Sequence, residues 1–113
     1  MKICFVTTGD IKDIATSKRA FGMATPLIGL GWEVDILIED TVENRKRASL
    51  ECSKQVSVHY FPKNSPFGEI KEKNRLISQI KPDVVYVCAF VIRNIVKGYG
   101  AFKVVEHSEL QSK

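Results

Sequence analysis

Apolar residues along the chain cluster in short runs with two different spacings. Lys2-Ile3-Cys4-Phe5-Val6 is nearly all apolar, which suits a strand buried on both faces of a parallel sheet. Thr7-Thr8-Gly9-Asp10 breaks it with turn-forming residues. From about Thr16 the spacing becomes helical, through Ala20, Phe21, Ala24, Leu27 and Ile28. Thr16 or Ser17 is the expected N-cap. Pro26 is expected to kink or shorten this helix, and Gly29 and Gly31 to supply a left-handed exit. Residues 32–38 read as a second strand, with Glu39 and Asp40 marking its carboxyl end. The charged stretch 41–54 reads as a short exposed helix or a loop, with Glu43 and Arg47 spaced to pair.

Residues 56–61 alternate like a half-buried edge strand, so His59 reads as a surface strand residue. Ser65-Pro66 resembles an N-cap followed by proline at the first helical position. The helix it opens is expected to carry Phe67, Ile70, Leu76, Ile77 and Ile80 on one face and to stop before Pro82. Residues 83–88 form a strand of the fully buried type. Residues 90–97 read as a short apolar helix closed by Gly98 and Gly100, and 102–106 as a fifth strand.

Strands alternating with helices specify an α/β chain with a doubly wound parallel sheet of about five strands. Short, right-handed connections favour the order 3-2-1-4-5. The loops at 7–15 and 88–93 then line one crevice at the carboxyl edge of the sheet, where open α/β sheets collect ligands. His107 falls at its rim.

Composition narrows the class. With 113 residues, 44% apolar and 27% charged, the chain supports one domain with a modest core. No run approaches the ~20 apolar residues of a membrane span, and four apolar residues after Lys2 do not make a signal peptide. The net charge of +4 fits ordinary surface lysines, with a patch for anionic lipid as the sharper alternative. No basic run is interleaved with aromatics, so nucleic acid is not an expected partner. Three cysteines without a C-x-x-C pair read as reduced thiols of a cytoplasmic protein, with Cys4 and Cys88 buried in strands. Two separated histidines and dispersed cysteines offer no metal cluster.

The chain lacks a P-loop and a G-x-G-x-x-G fingerprint, so no cofactor is expected; Gly9 stands alone in the first loop. Glu39 ends strand two, where a ribose-binding acid would sit, but without the glycines that signal is weak. Thr8, Gly9 and Asp10 form a flexible turn with a carboxylate at the mouth of the crevice. Lys18 and Arg19 open the first helix, where cations oppose its dipole; they are either solvated or in contact with an anion. Glu106 and His107 form the most polar pair at a strand end. They are candidates to face a sugar hydroxyl or a developing charge.

Four segments resemble one family. Met1-Lys2-Ile3-Cys4-Phe5-Val6-Thr7-Thr8-Gly9 resembles the opening strand of the group-1 retaining glycosyltransferases of the GT-B fold. Leu27-Ile28-Gly29-Leu30-Gly31-Trp32-Glu33-Val34 resembles their L-x-x-x-G-H-E-V junction. Lys81-Pro82-Asp83-Val84-Val85-Tyr86-Val87 resembles their K-P-D-V-V-H-V strand, and Phe102-Lys103-Val104-Val105-Glu106-His107 their fifth strand. The resemblance implies a Rossmann-like three-layer sandwich, the acceptor side of a sugar-nucleotide-dependent enzyme of cell-surface polysaccharide synthesis. It implies that His107 contacts the donor sugar, so His107 is the candidate catalytic residue. Thr8, Gly9, Asp10, Lys18, Arg19 and Glu106 are the candidate substrate-binding residues.

The family's loop after strand one is usually glycine-rich, and here it holds one glycine. The family's nucleotide-binding second domain has no counterpart in the sequence, so the chain reads as a fragment or half of a split enzyme, inactive alone. Its expected partners are a sugar acceptor and a nucleotide-sugar donor brought by a second domain or partner chain. Peripheral association with the inner face of a membrane and homo-oligomerisation through the strand-five edge stay open. The competing readings are a non-catalytic Rossmann-like binding or interaction module, and a small enzyme using Glu106 and His107 as an acid–base pair.

Overall fold

Five parallel strands run in the order β3-β2-β1-β4-β5: β1 (Lys2–Val6), β2 (Glu33–Glu39), β3 (Val56–Phe61), β4 (Val84–Val87) and β5 (Phe102–Val105). The computed structural model describes residues 1–12, 16–51, 55–89 and 91–106. Helices α1 (Thr16–Gly29), α2 (Val42–Glu51) and α3 (Pro66–Ile80) connect the first four strands. The chain is therefore α/β with a Rossmann-like fold, as the alternation of strand and helix patterns predicts. Central β1 pairs Phe5 with Ile36 on one side and with Tyr86 on the other.

The period-two alternation of each strand divides the core in two. Ile3, Phe5, Val34, Ile36 and Ile38 face Ala20, Phe21 and Ala24 of α1 and Ala48 of α2. Cys4, Val6, Leu37, Phe61, Val85 and Val87 face the other way, against Leu76 and Ile77 of α3 and against Val96. Phe5 and Phe61 are fully buried, one in each layer. Each contributes about 1.5–3 kcal/mol by leaving water. Cys4 and Cys88 are buried, unbridged thiols, as expected of their apolar runs; Cys52 lies outside the described residues.

The helix ends follow local chemistry. Ser65 Oγ accepts from the Gly68 amide at 3.2 Å with Pro66 in the first turn, and Lys81 closes α3 in the left-handed region at φ 54°. Thr41 Oγ1 accepts from the Asn44 amide and caps α2, so the charged stretch is a helix. Pro26 does not end α1, which continues to Gly29, and the Leu30 amide reaches back to the Pro26 carbonyl. Gly31 makes the exit at φ +88°.

Three expectations are corrected. Phe67 is 76% exposed and does not share the buried face of α3, which Glu69, Lys73, Leu76 and Ile77 form. The helix expected over 90–97 is absent among the described residues. Only Ile92–Asn94 forms a single 3-10 turn, and Val91, Ile92 and Ile95 are exposed rather than packed. His59 is not merely a surface residue: its Nε2 lies 2.8 Å from Asp35 Oδ1 across the β2–β3 pair.

Candidate functional site

The carboxyl ends of β1, β2 and β4 surround a crevice of roughly 660 Å³. The loop after β1 contributes Thr8, Gly9, Asp10 and Lys12. Glu39 and Thr41 enter from the end of β2, Lys63 from the loop after β3. Ala89, Val91, Ile92 and Arg93 close the far wall after β4. This is the place where a doubly wound sheet of this order leaves a gap between diverging connections.

The β1 loop is held from three directions. Thr7 Oγ1 donates to the Leu37 carbonyl at 2.7 Å. Thr16 clasps Thr8: its hydroxyl donates to the Thr8 carbonyl at 2.9 Å and accepts from the Thr8 amide at 3.2 Å. Asn44, fully buried on α2, donates to the Gly9 carbonyl at 3.1 Å and the Glu39 carbonyl at 2.9 Å, while its Oδ1 accepts from the Ile11 amide at 2.9 Å. Gly9 turns the chain at φ +77°, a conformation in which a side chain would be strained. Asp10 Oδ1 accepts from the Lys12 amide at 3.1 Å and tightens the turn.

Beneath the far wall lies a buried charged cluster. Glu69 is 1% exposed and Lys73 is fully buried, one turn apart on α3. Lys73 Nζ spends its three donors on Glu69 Oε2 at 2.6 Å, the Arg93 carbonyl at 2.9 Å and Asn94 Oδ1 at 2.6 Å. It also sits 4.8 Å from the centre of the Phe61 ring. Glu69 further accepts from the Thr8 hydroxyl at 2.7 Å and from Arg93 at 2.8 Å. The other donor of that Arg93 nitrogen goes to the Asn64 carbonyl at 2.7 Å. Burial works to raise the Glu69 carboxyl, but Lys73, Thr8 and Arg93 outweigh it and hold the group below its usual range. Burial pulls Lys73 down to about 8, with Glu69 opposing a further fall.

This cluster ties three site segments together: the β1 loop through Thr8, α3 through Glu69 and Lys73, and the 3-10 turn through Arg93 and Asn94. It fixes the position of Arg93 from below. Glu39 is different. It is 8% exposed, lines the crevice, and its carboxylate has no hydrogen-bond partner among the described residues.

The candidate residues separate. Thr8, Gly9 and Asp10 line the crevice. Lys18 is exposed on α1 and does not. Arg19 donates through Nε to Glu106 Oε1 at 3.0 Å and through a terminal nitrogen to the Cys88 carbonyl at 2.6 Å. It thus ties α1 to the ends of β4 and β5, and neither it nor Glu106 lines the crevice. His107 lies outside the described residues.

The 88–93 loop lines the crevice as the sequence predicts, through Ala89, Val91, Ile92 and Arg93, though the sequence did not single out Arg93; Asn44, Glu69 and Lys73 were missed as site residues. The signal for Lys73 and Glu69 was present: the buried stripe of Leu76 and Ile77 continues back one turn at a time through Lys73 and Glu69.

A second groove of roughly 430 Å³ lies at the amino end of the sheet, between the end of α3 and Tyr99-Gly100. Open α/β sheets do not use that edge for ligands. Among the described residues no group of acidic, histidine or cysteine side chains is placed to hold a metal ion, and no helix is long and apolar enough to cross a membrane. Compared with protein-family models the chain matches none, and no curated protein matches it.

Proposed function

We propose that this chain forms the acceptor-holding side of a sugar-nucleotide-dependent retaining glycosyltransferase that acts in cell-surface polysaccharide synthesis. One observation carries the reading. The four segments that resemble this enzyme class fall on β1, on the α1–β2 junction, on β4 and on β5, and the crevice opens at the carboxyl ends of β1 and β4. The chemistry of the walls supports a saccharide: Glu39 and Asp10 accept hydrogen bonds, Arg93, Lys12 and Lys63 donate them, and Val91 and Ile92 offer apolar surface.

The nucleotide sugar is carried by a second domain or a partner chain facing this crevice. His107, immediately after Glu106, contacts the donor sugar. A neutral imidazole both donates to and accepts from hydroxyls near pH 7. Basic surface charge brings the protein to the inner face of the membrane, where polysaccharide acceptors are built.

Titration calorimetry of the purified chain tests the division of labour. Oligosaccharides of the acceptor type are expected to bind, while UDP- and GDP-sugars show no heat. Tight nucleotide-sugar binding by this chain alone, or silence with every oligosaccharide, overturns the proposal.

A further inference from the structure

The crevice presents two groups with unused capacity. Arg93 spends one terminal nitrogen on Glu69 and Asn64, and its remaining N–H donors have no partner among the described residues. Glu39 is a nine-tenths buried carboxylate that lines the same crevice without a hydrogen-bond donor among the described residues. No fully buried side-chain oxygen among the described residues lacks a partner, so the unpaired Glu39 oxygens open into the crevice and can accept from a ligand there.

We propose that the crevice binds a sugar bearing one anionic group, with the anion on the free edge of the Arg93 guanidinium and a ring hydroxyl donated to Glu39. This deepens the acceptor-side reading and rests on its saccharide ligand. Charge supports it. Lys12, Lys63 and Arg93 line the crevice with Lys73 below Arg93, against Asp10, Glu39 and Glu69. The site therefore carries a surplus of one positive charge, which favours an anion over a cation.

Placement supports it too. Lys73 fixes the Arg93 carbonyl and the neighbouring Asn94 side chain, and Asn94 in turn donates to the Ala89 carbonyl at 3.0 Å. Arg93 therefore stands on an anchored turn, and its planar fork is held in advance by the buried Glu69. A pre-oriented guanidinium loses little freedom when it takes up an oxyanion in two parallel hydrogen bonds. The crevice volume lies inside the ~300–1,000 Å³ range of small-molecule sites, room for a monosaccharide with its anion. A phosphate and a carboxylate both satisfy this chemistry.

The test is a set of amide-shift titrations with four probes: glucose, glucose 6-phosphate, glucuronate and inorganic phosphate. Glucose 6-phosphate, glucuronate or both are expected to bind at least tenfold more tightly than glucose, with shifts at 8–12, 89 and 91–93. Which of the two binds names the anion. Arg93→Gln is expected to abolish the preference over glucose. Glu39→Gln is expected to weaken the anionic sugar relative to inorganic phosphate, which makes no use of the carboxylate and gains from the loss of a neighbouring negative charge.

Should Arg93→Gln lose its fold, the double variant Lys12→Gln/Lys63→Gln, both on the exposed rim, is expected to weaken the anionic sugar severalfold more than it weakens glucose. Equal affinity for glucose and both anionic sugars overturns this inference and leaves the saccharide site standing. Absence of crevice shifts with all three sugars overturns both. An equal change of the anionic sugar and inorganic phosphate on Glu39→Gln removes the role of that carboxylate and overturns the two-point arrangement.

Discussion

Lys73 shows how a single side chain supports a site it does not enter. Its ammonium is fully buried and all three of its donors are used. Removing one member of such a group leaves the others buried and uncompensated. Lys73→Met is expected to destabilise the fold by about 3–5 kcal/mol in urea unfolding. The pair Glu69→Leu with Lys73→Met is expected to cost less than the sum of the single changes, because the stranded carboxylate is gone. Strict additivity would show that the two residues do not act as a unit. At the same scale, the proposed glycosyltransferase reading predicts that His107→Ala lowers sugar transfer by the enzyme assembled with its second domain or partner chain by about 1–3 kcal/mol of barrier, the cost of a hydroxyl left without its partner, with the fold intact. Unchanged turnover would remove His107 from the proposed site.

Among elements, α1 offers a matched pair of glycines. At Gly22 and Gly31 alike, an added methyl meets nothing within 4 Å. Gly22 sits inside the helix and Gly31 turns the chain at φ +88°. Gly22→Ala is expected to stabilise by about 0.4–1 kcal/mol, while Gly31→Ala is expected to destabilise by about 1–2 kcal/mol. Thermal unfolding that moves both variants in the same direction would contradict the assignment of the helix end. Elements of this kind were legible in the sequence because buried parallel strands are solid apolar runs and caps have local signatures. Ile3-Cys4-Phe5-Val6 and Ser65-Pro66 each announced their structure without tertiary knowledge. The region after β4 did not. Val91, Ile92 and Ile95 look like a helix core by composition, yet the turn there is held by Lys73, distant in sequence on α3, which bonds the Arg93 carbonyl and the Asn94 side chain. The site was half legible for the same reason. Thr8, Gly9 and Asp10 follow from the position of the first loop and Arg93 falls on the second, 88–93, whereas Glu69 and Lys73 join the site only when α3 packs against the sheet.

For the molecule as a whole, the buried groups set the pH range of the fold. Glu69 is held below its unfolded value, so its contribution is present at neutral pH and is lost as pH falls through the lower folded value. Lys73 is depressed from 10.5 to about 8. The unfolded chain therefore holds more protons between those values, and this group alone makes stability rise with pH there. The thiols act oppositely. Burial raises Cys88 from 9.0 to about 12 and raises Cys4 further, so above pH 9 the folded state holds the extra protons and stability falls. Two thiols outweigh one lysine, and the urea midpoint is expected to drop from pH 9 to pH 11. Cys88→Ala is expected to make that drop shallower; an unchanged slope would place the alkaline limit elsewhere.

The claim on which the function rests is that the carboxyl-edge crevice, and not the amino-edge groove, is where a saccharide binds. A crystal structure of the chain soaked with the oligosaccharide that binds best in calorimetry tests this most directly. The expected result is sugar density between the β1 loop and the turn after β4, with a hydroxyl in hydrogen-bond reach of Glu39 and a polar group at Arg93. Sugar seated instead between Ile77, Lys81 and Tyr99 at the opposite edge, with the crevice empty, would contradict it.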